Sequence, residues 1–322
     1  MNWRCFVAAC ALPLVVISAA FAYQKGDTLE VQQLIQTSKR FQWTDPDQSL
    51  RYADEALRLA RELNYKNGIA VANTLKGFCF WTFGDNELAI ESAMAALDIA
   101  QQDKFSRIEA EGYYILARGY MDLAERVKAR EAIEHAETLA QEGNDWEQLC
   151  SIYNLKGVIL FIDHKPDSAL FFYKRALETG KAHAVDSINF PRIISNIGEI
   201  YAPENAKLAM TYYQKALALA KKTGNKITEA SITGIIGMAY LHTQDLKNAE
   251  LTLQSALRLA RQLGLRRVIR QAYSGLVDVR LRQGKGDEAV VYLRKYYAVR
   301  DSLLNTAKIR QIVELETKHD LQ

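Results

Sequence analysis

A chain of 322 residues that is 49 % hydrophobic and 25 % charged, with only five prolines, is composed like a soluble globular protein and not like a disordered, collagenous or disulfide-rich one. Its 41 basic and 38 acidic residues nearly balance at a net charge of +3, which excludes a partner held by bulk electrostatics. Nucleic acid would need a clustered basic face, and the basic runs here are short.

The first 22 residues differ in kind from the rest. Arg4 supplies a positive start, Cys5 to Ala19 is almost wholly apolar, and Ala20-Phe21-Ala22 is an A-x-A cleavage pattern. The expectation is a signal peptide over 1–22, a mature chain beginning near Tyr23, and an exported, periplasmic protein with a balance near +2 once Arg4 is removed. The alternative is an uncleaved anchor; against it stand Pro13, Ser18 and a run short of the ~20 residues a bilayer span needs. Beyond the leader only Cys79 and Cys150 remain, in first helices two units apart. Neighbouring helices lie about 8–10 Å apart, more than the ~7 Å a disulfide spans between Cα atoms, so both are expected as free, buried thiols.

Past the leader the chain is built on a 40-residue period, repeated seven times over residues 23–305. The stretch Asn154 to Ala176 reads as two amphipathic helices folded back across Asp163-His164-Lys165-Pro166. Gly157 lets a second helix come close, and Ala169, Tyr173 and Ala176 put small, large and small side chains on one face. Steps of forty from Ala169 reach Ser49, Ala89, Ala129, Ala209, Ala249 and Ala289; from Ala176 they reach Ala56, Ala96, Ala136, Ala216, Ala256 and Tyr296. Between them runs an apolar ladder of Ala53, Ala93, Ile133, Tyr173, Tyr213, Leu253 and Leu293, faced by small residues at Gly77, Ala117, Gly157, Gly198 and Gly237. The rung at Gly198 is one residue late, a slip confined to unit five and absorbed between Tyr201 and Asn205.

Helix ends carry their own marks. Asp45, Asp85, Glu125, Asn205 and Asp245 share one phase at the start of the second helices, where Asp and Asn accept from free backbone N–H groups. Asn64, Asn144, Gly224 and Gly264 occupy the joints between units and suit left-handed caps. Lys221-Lys222 and Arg266-Arg267 are expected to complement last-turn carbonyls. After unit seven, residues 306–322 read as a further helix, with Ile309, Ile312, Val313 and Leu315 among charges, that caps or extends the last hairpin.

Motifs for chemistry are missing. The five histidines show no H-x-x-x-H or H-E-x-x-H spacing, so no metal is expected. Gly284-Lys285-Gly286-Asp287 lacks the phosphate-loop pattern and falls at the turn of unit seven. Glu109-Glu111 and Glu314-Glu316 are two apart on helices and read as solvated faces. No serine or cysteine sits in a nucleophile motif, and no cofactor is implied.

Ile197-Gly198-Glu199-Ile200-Tyr201 with Ala209, Tyr213 and Ala216, and Ile236-Gly237-Met238-Ala239-Tyr240 with Ala249, Leu253 and Ala256, resemble tetratricopeptide (TPR) repeats, whose usual period is about 34 residues. The resemblance implies an all-α fold: a right-handed α-solenoid of seven helix-turn-helix hairpins with a 40-residue period, plus a C-terminal helix. It also implies a concave groove lined by first helices, where a protein or peptide partner would meet Phe78, Trp81, Tyr114, Arg118, Met121, Asn154, Phe161 and Arg192. The other reading of these residues is packing between helices. Phe78 and Phe161 suit it; Trp81, Tyr114 and Arg118 suit binding, since Trp, Tyr and Arg are favoured at hot spots. The run DSLLN…KIRQIVELETKHD is similar to the segment after TPR arrays in bacterial envelope sensor histidine kinases and membrane-bound helix-turn-helix regulators, but no second apolar run follows it. The expected function is a non-catalytic protein-protein interaction module in the bacterial cell envelope, serving as sensor or regulatory input to a separate membrane-bound regulator; the alternative is a structural adaptor for envelope assembly or secretion.

Overall fold

The computed structural model describes residues 28–185 and 188–301, so the expected leader (1–22) and C-terminal helix (306–322) lie outside the described residues. Fourteen helices and no strand occur among the described residues. They are α1 (28–41), α2 (Pro46–Glu62), α3 (Lys66–Phe83), α4 (Asn86–Gln102), α5 (Ser106–Asp122), α6 (Arg126–Glu142), α7 (Trp146–Ile162), α8 (Pro166–Ala182), α9 (Phe190–Tyr201), α10 (Ala206–Thr223), α11 (Lys226–His242), α12 (Leu246–Gln262), α13 (Arg266–Arg282) and α14 (286–301). Each odd-numbered helix pairs with the next to make a hairpin, and successive hairpins stack.

The forty-residue period is two twenties. A 17-residue helix and a three-residue joint make one half-unit, and a residue with positive φ closes almost every joint: Asn64, Gly84, Lys104, Ala124, Asn144, His164, Ala184, Gly224, Gln244, Gly264 and Gly284. The N–H of the next residue reaches back five positions, as in Lys165 N to Leu160 O (2.9 Å) and Leu265 N to Ala260 O (2.9 Å), which closes the helix end as a Schellman motif. Seven of these eleven are not glycine, although a left-handed L-residue costs about 1–2 kcal/mol. The recovered carbonyl bonds and the packing on either side hold them there. Of the second-helix starts, Asp45, Asn205 and Asp245 accept from the backbone as expected. Asp85 and Glu125 form no such bond; Asp85 pairs with Arg266 instead.

Packing follows the ladders. Where the large rung is Tyr173, Tyr213 or Leu253, the facing position is Gly157, Gly198 or Gly237; a Cβ on Gly198 would lie 2.7 Å from Tyr213 Cε1, and one on Gly237 2.7 Å from Leu253 Cγ. The alanine rungs from Ala53 to Ala256 are all at or below 2 % exposure, whereas Leu293 at the open end of the stack is 37 % exposed. Unit five carries the irregularity: α9 has only 12 residues, begins with Pro191 near its N-terminus, and follows a longer joint after α8. Asn189 Nδ2 donates to Ser151 Oγ (3.0 Å), and Asn225 Nδ2 donates to Ile188 O (3.0 Å), tying that joint to α7 and α11. Cys79 and Cys150 are free and buried, and burial pushes their thiols up to about 12 and about 11.

The stack does not stay open. Trp43, in the turn between α1 and α2, packs among Ile227, Ala230, Leu265 and Val268 of hairpins six and seven. Its carbonyl accepts from Ile227 N (3.3 Å), and the face of Gly264 lies against the Phe83 ring. Arg266 and Arg267 open α13 and do not serve the last turn of their own helix: Arg266 pairs with Asp85, while Arg267 pairs with Asp122 and donates to the Trp81 carbonyl in the last turn of α3. Hairpins one to three therefore meet hairpins six and seven, and the solenoid closes into a ring. Among the described residues no helix is long and apolar enough to cross a membrane.

Candidate functional site

The Trp81 indole lies at the seam where the two parts of the stack meet. On α3 it sits one turn beyond Phe78, whose ring meets Trp43 edge-on at 4.7 Å. Trp81 Nε1 donates to Asp122 (2.8 Å). Three guanidinium groups from three other helices surround the indole, with Cζ at 3.1 Å (Arg118, α5), 4.4 Å (Arg267, α13) and 5.5 Å (Arg192, α9) from the ring centre. Cation–π attraction favours this arrangement, but Asp122 is the acid that serves the group, and Arg267 takes it. Burial lowers the Arg118 guanidinium to about 9 and also lowers Arg192 and Arg267. Arg118 is 3 % exposed, and its Nη1 is buried without a hydrogen-bond partner.

Beside this cluster lies a cavity of about 320 Å³ between α1, α3, α5 and α7, with Ile188 and Asn189 of the α8–α9 joint also lining it. Phe78, Trp43, Leu75 and Tyr114 form its apolar wall, and Arg118, Gln148 and Glu111 its polar one. Both amide atoms of the Gln148 side chain are buried and unpartnered. Glu111 accepts from Thr74 Oγ1 (3.4 Å), and burial holds its carboxyl above the usual range; it faces this interior and is not part of a solvated face. Arg107 pairs with Asp145 at 3.0 Å on the rim.

The eight residues expected in the groove divide. Phe78, Tyr114 and Arg118 line the cavity; Trp81 and Arg192 complete the cluster next to it. Asn154 is 5 % exposed and accepts from Asn196 Nδ2 (2.8 Å), joining α7 to α9. Met121 and Phe161 are half-buried and pack on the main core. Trp81 is covered from across the seam by Arg267, whereas Phe78 is covered by Trp43 and Arg118, and Asn154 by Asn196, all in neighbouring units. Further along the inner stripe of α9, burial raises Glu199 to about 7.

Sequence reasoning missed Trp43, Gln148 and Arg267. Trp43 lies outside the packing ladders in a turn, where a large exposed ring signals a contact elsewhere. Arg266-Arg267 follow the joint at Gly264 and so begin a helix, a position unfavourable for cations that signals partners in another unit. Gln148 carried no signal. Among the described residues no cluster of His, Cys, Asp or Glu is arranged to hold a metal.

No protein-family model matches the sequence, and no curated protein matches it. Solved structures match by shape. A Rap protein complexed with Competence and Sporulation Factor superposes with a TM-score of 0.65 at 15 % identity, covering 88 % of this chain and 75 % of that one. NprR in complex with its cognate peptide NprX gives 0.62 at 13 % identity, covering 95 % of each chain. A signal transduction ATPase with a tetratricopeptide repeat sensor, from Pyrococcus horikoshii, gives 0.53 at 17 %, covering 88 % of this chain and 48 % of that one. The fold is a TPR-like helical-repeat solenoid. In this TPR-like solenoid the chain's own tryptophan and arginines occupy the place where the two parts of the stack meet, and a cavity lies beside them.

Proposed function

We propose that this TPR-like chain is a non-catalytic interaction module that holds a short peptide, or an extended segment of a partner protein, in the cavity inside its ring. The observation that carries the reading is the cavity inside the ring, about 320 Å³, with Trp43, Leu75, Phe78 and Tyr114 on one side and polar side chains, Gln148 among them, on the other. A peptide suits such a wall, since its main chain pairs with polar side chains and its apolar side chains cover the rings. That a similar solenoid, NprR, was solved with a cognate peptide supports the same reading. The site of action we propose is the bacterial cell envelope, with the module feeding a separate membrane-bound regulator. Arg4, the apolar run and Ala20-Phe21-Ala22 support export, and the run after Asp301 supports the regulatory role.

Selection of a random peptide display library against the purified chain tests the binding. Enriched peptides should bind in solution, and Tyr114→Ala, on the cavity wall, should weaken them at least tenfold, equivalent to ~1.4 kcal/mol, with an unchanged melting temperature. No enrichment, or binding indifferent to Tyr114→Ala, contradicts it. Intact mass of the chain exported from a Gram-negative host should begin near Tyr23; a full-length membrane-bound chain contradicts the localisation.

A further inference from the structure

The break in the repeat at unit five leaves an opening on the outer side of the ring. Helices α7 and α11 begin at Trp146 and Lys226, so the forty-residue period puts a start at 186; α9 begins at Phe190, one turn late. Arg192 and Asn196 on α9 face the interior, toward Trp81 and Asn154. On the opposite face Phe190, Ile194 and Ile197 line a cleft of about 560 Å³ that runs between α8 and α10, second helices of their hairpins, whereas the inner cavity lies among first helices. Leu177, Val185 and Tyr212 complete its apolar wall, Lys181 and Lys215 are its exposed rim, and among the described residues no acidic side chain lines it. Unit four is matched to the break: where other units carry Ala60, Ala100, Ala140, Ala220 and Ala260, it has Gly180, and the Phe190 ring occupies the place a Cβ would take. Phe190 is thereby seated against α8 as one wall of the cleft.

The charge beside the cleft is one-sided. α10 carries Lys207, Lys215, Lys221 and Lys222 and no acid, and neither these nor Lys181 form an ion pair among the described residues. α4, the second helix of hairpin two, carries acids and no base, so the basic character belongs to this part of the outer layer. An apolar cleft rimmed by unpaired lysines is complementary to a partner that brings an apolar side chain with carboxylates on either side. We propose that the cleft is a docking site for an acidic segment of a partner protein, which seats one large apolar side chain between α8 and α10 and sets its flanking carboxylates on Lys181 and Lys215. The volume falls within that of ligand pockets, roughly 300–1,000 Å³. The same lysines would draw an anionic membrane, but a membrane-bound surface inserts protruding apolar side chains. Here Ile194 and Ile197 are recessed, at 8 % and 5 % exposure; the cleft receives an anchor and offers none. The site is separate from the inner cavity and does not rest on the peptide reading above.

Fluorescence anisotropy with labelled peptides tests it. The probes are Glu-Glu-X-X-Glu-Glu, with X drawn from Leu, Ile, Phe and Trp, beside the same peptides with Lys in place of Glu and with Gly in place of X. Members of the first set should bind the wild type, and neither control set should. Lys181→Glu combined with Lys215→Glu, both at exposed positions, should weaken the acidic peptides at least tenfold, equivalent to ~1.4 kcal/mol, at an unchanged melting temperature. Peptides selected through Tyr114 should bind this double variant as they bind the wild type, so failure of the inner cavity and failure of the outer cleft are read separately. Equal affinity of the acidic peptides for wild type and double variant, or no binding by any of them, contradicts the site. A chain that ignores the peptides but sediments with phosphatidylglycerol vesicles, and loses that on the double substitution, has a membrane face there, and the protein-docking site is wrong.

Discussion

Gly157→Leu is expected to lower the unfolding temperature more than any other single change on the packing ladder. A Cβ built at Gly157 would press into the Tyr173 ring, 2.6 Å from Cδ1, and Tyr173 is 1 % exposed and walled in by the main core. Extra methylenes in a packed core cost about 1–3 kcal/mol and occasionally more; here α7 and α8 would have to separate, so the upper end applies. Gly286→Ala is the matched control, because nothing lies within 4 Å of its Cβ position. Thermal unfolding of the two variants compares them directly. Equal midpoints would mean that the close contact is elsewhere.

Trp81→Ala carries the second large effect. The indole is 9 % exposed and holds together four elements: its Nε1 serves Asp122 on α5, and its face is shared by guanidinium groups from α5, α9 and α13. Truncating a buried aromatic costs about 3–5 kcal/mol, and the three cations would lose the surface that holds them close. The expected result is a lower melting temperature together with a larger hydrodynamic radius, since the contacts at risk are those between the two ends of the stack. Loss of stability at constant radius would place Trp81 in ordinary core packing.

The hairpins were legible because their packing is local and periodic. Tyr173 opposite Gly157, Tyr213 opposite Gly198 and Leu253 opposite Gly237 can be read by counting, since each unit buries its face only against its neighbours. The joints were half legible. Asn64, Asn144, Gly224 and Gly264 announce a left-handed residue, but Lys104, Ala124, His164, Ala184 and Gln244 adopt the same conformation with no residue preference to show it; there the five-back hydrogen bond and the helices on either side impose φ. The closure was not legible. Whether Arg267 reaches Trp81 depends on small rotations between units accumulated over the whole stack, and no local pattern encodes their sum. For that reason Trp81 and Arg118 could be named as important while their surroundings could not.

Closure of the ring is the central claim, and a proximity measurement at its seam tests it most directly. Asp85 and Arg266 pair across the seam while 181 residues apart in sequence. In a chain begun at Tyr23, the native thiols are those of Cys79 and Cys150, both buried, with burial pushing them up to about 12 and about 11, so they stay unreactive toward maleimides near neutral pH. With cysteines replacing both Asp85 and Arg266, the Trp43 contacts and the Arg267 pairs still hold the seam. A short bifunctional thiol reagent should then join the two positions within one molecule under native conditions, and should fail to do so once Trp81→Ala is added. Single-site adducts alone in the native double variant, with each cysteine labelled but never bridged, would show an open solenoid and contradict the account.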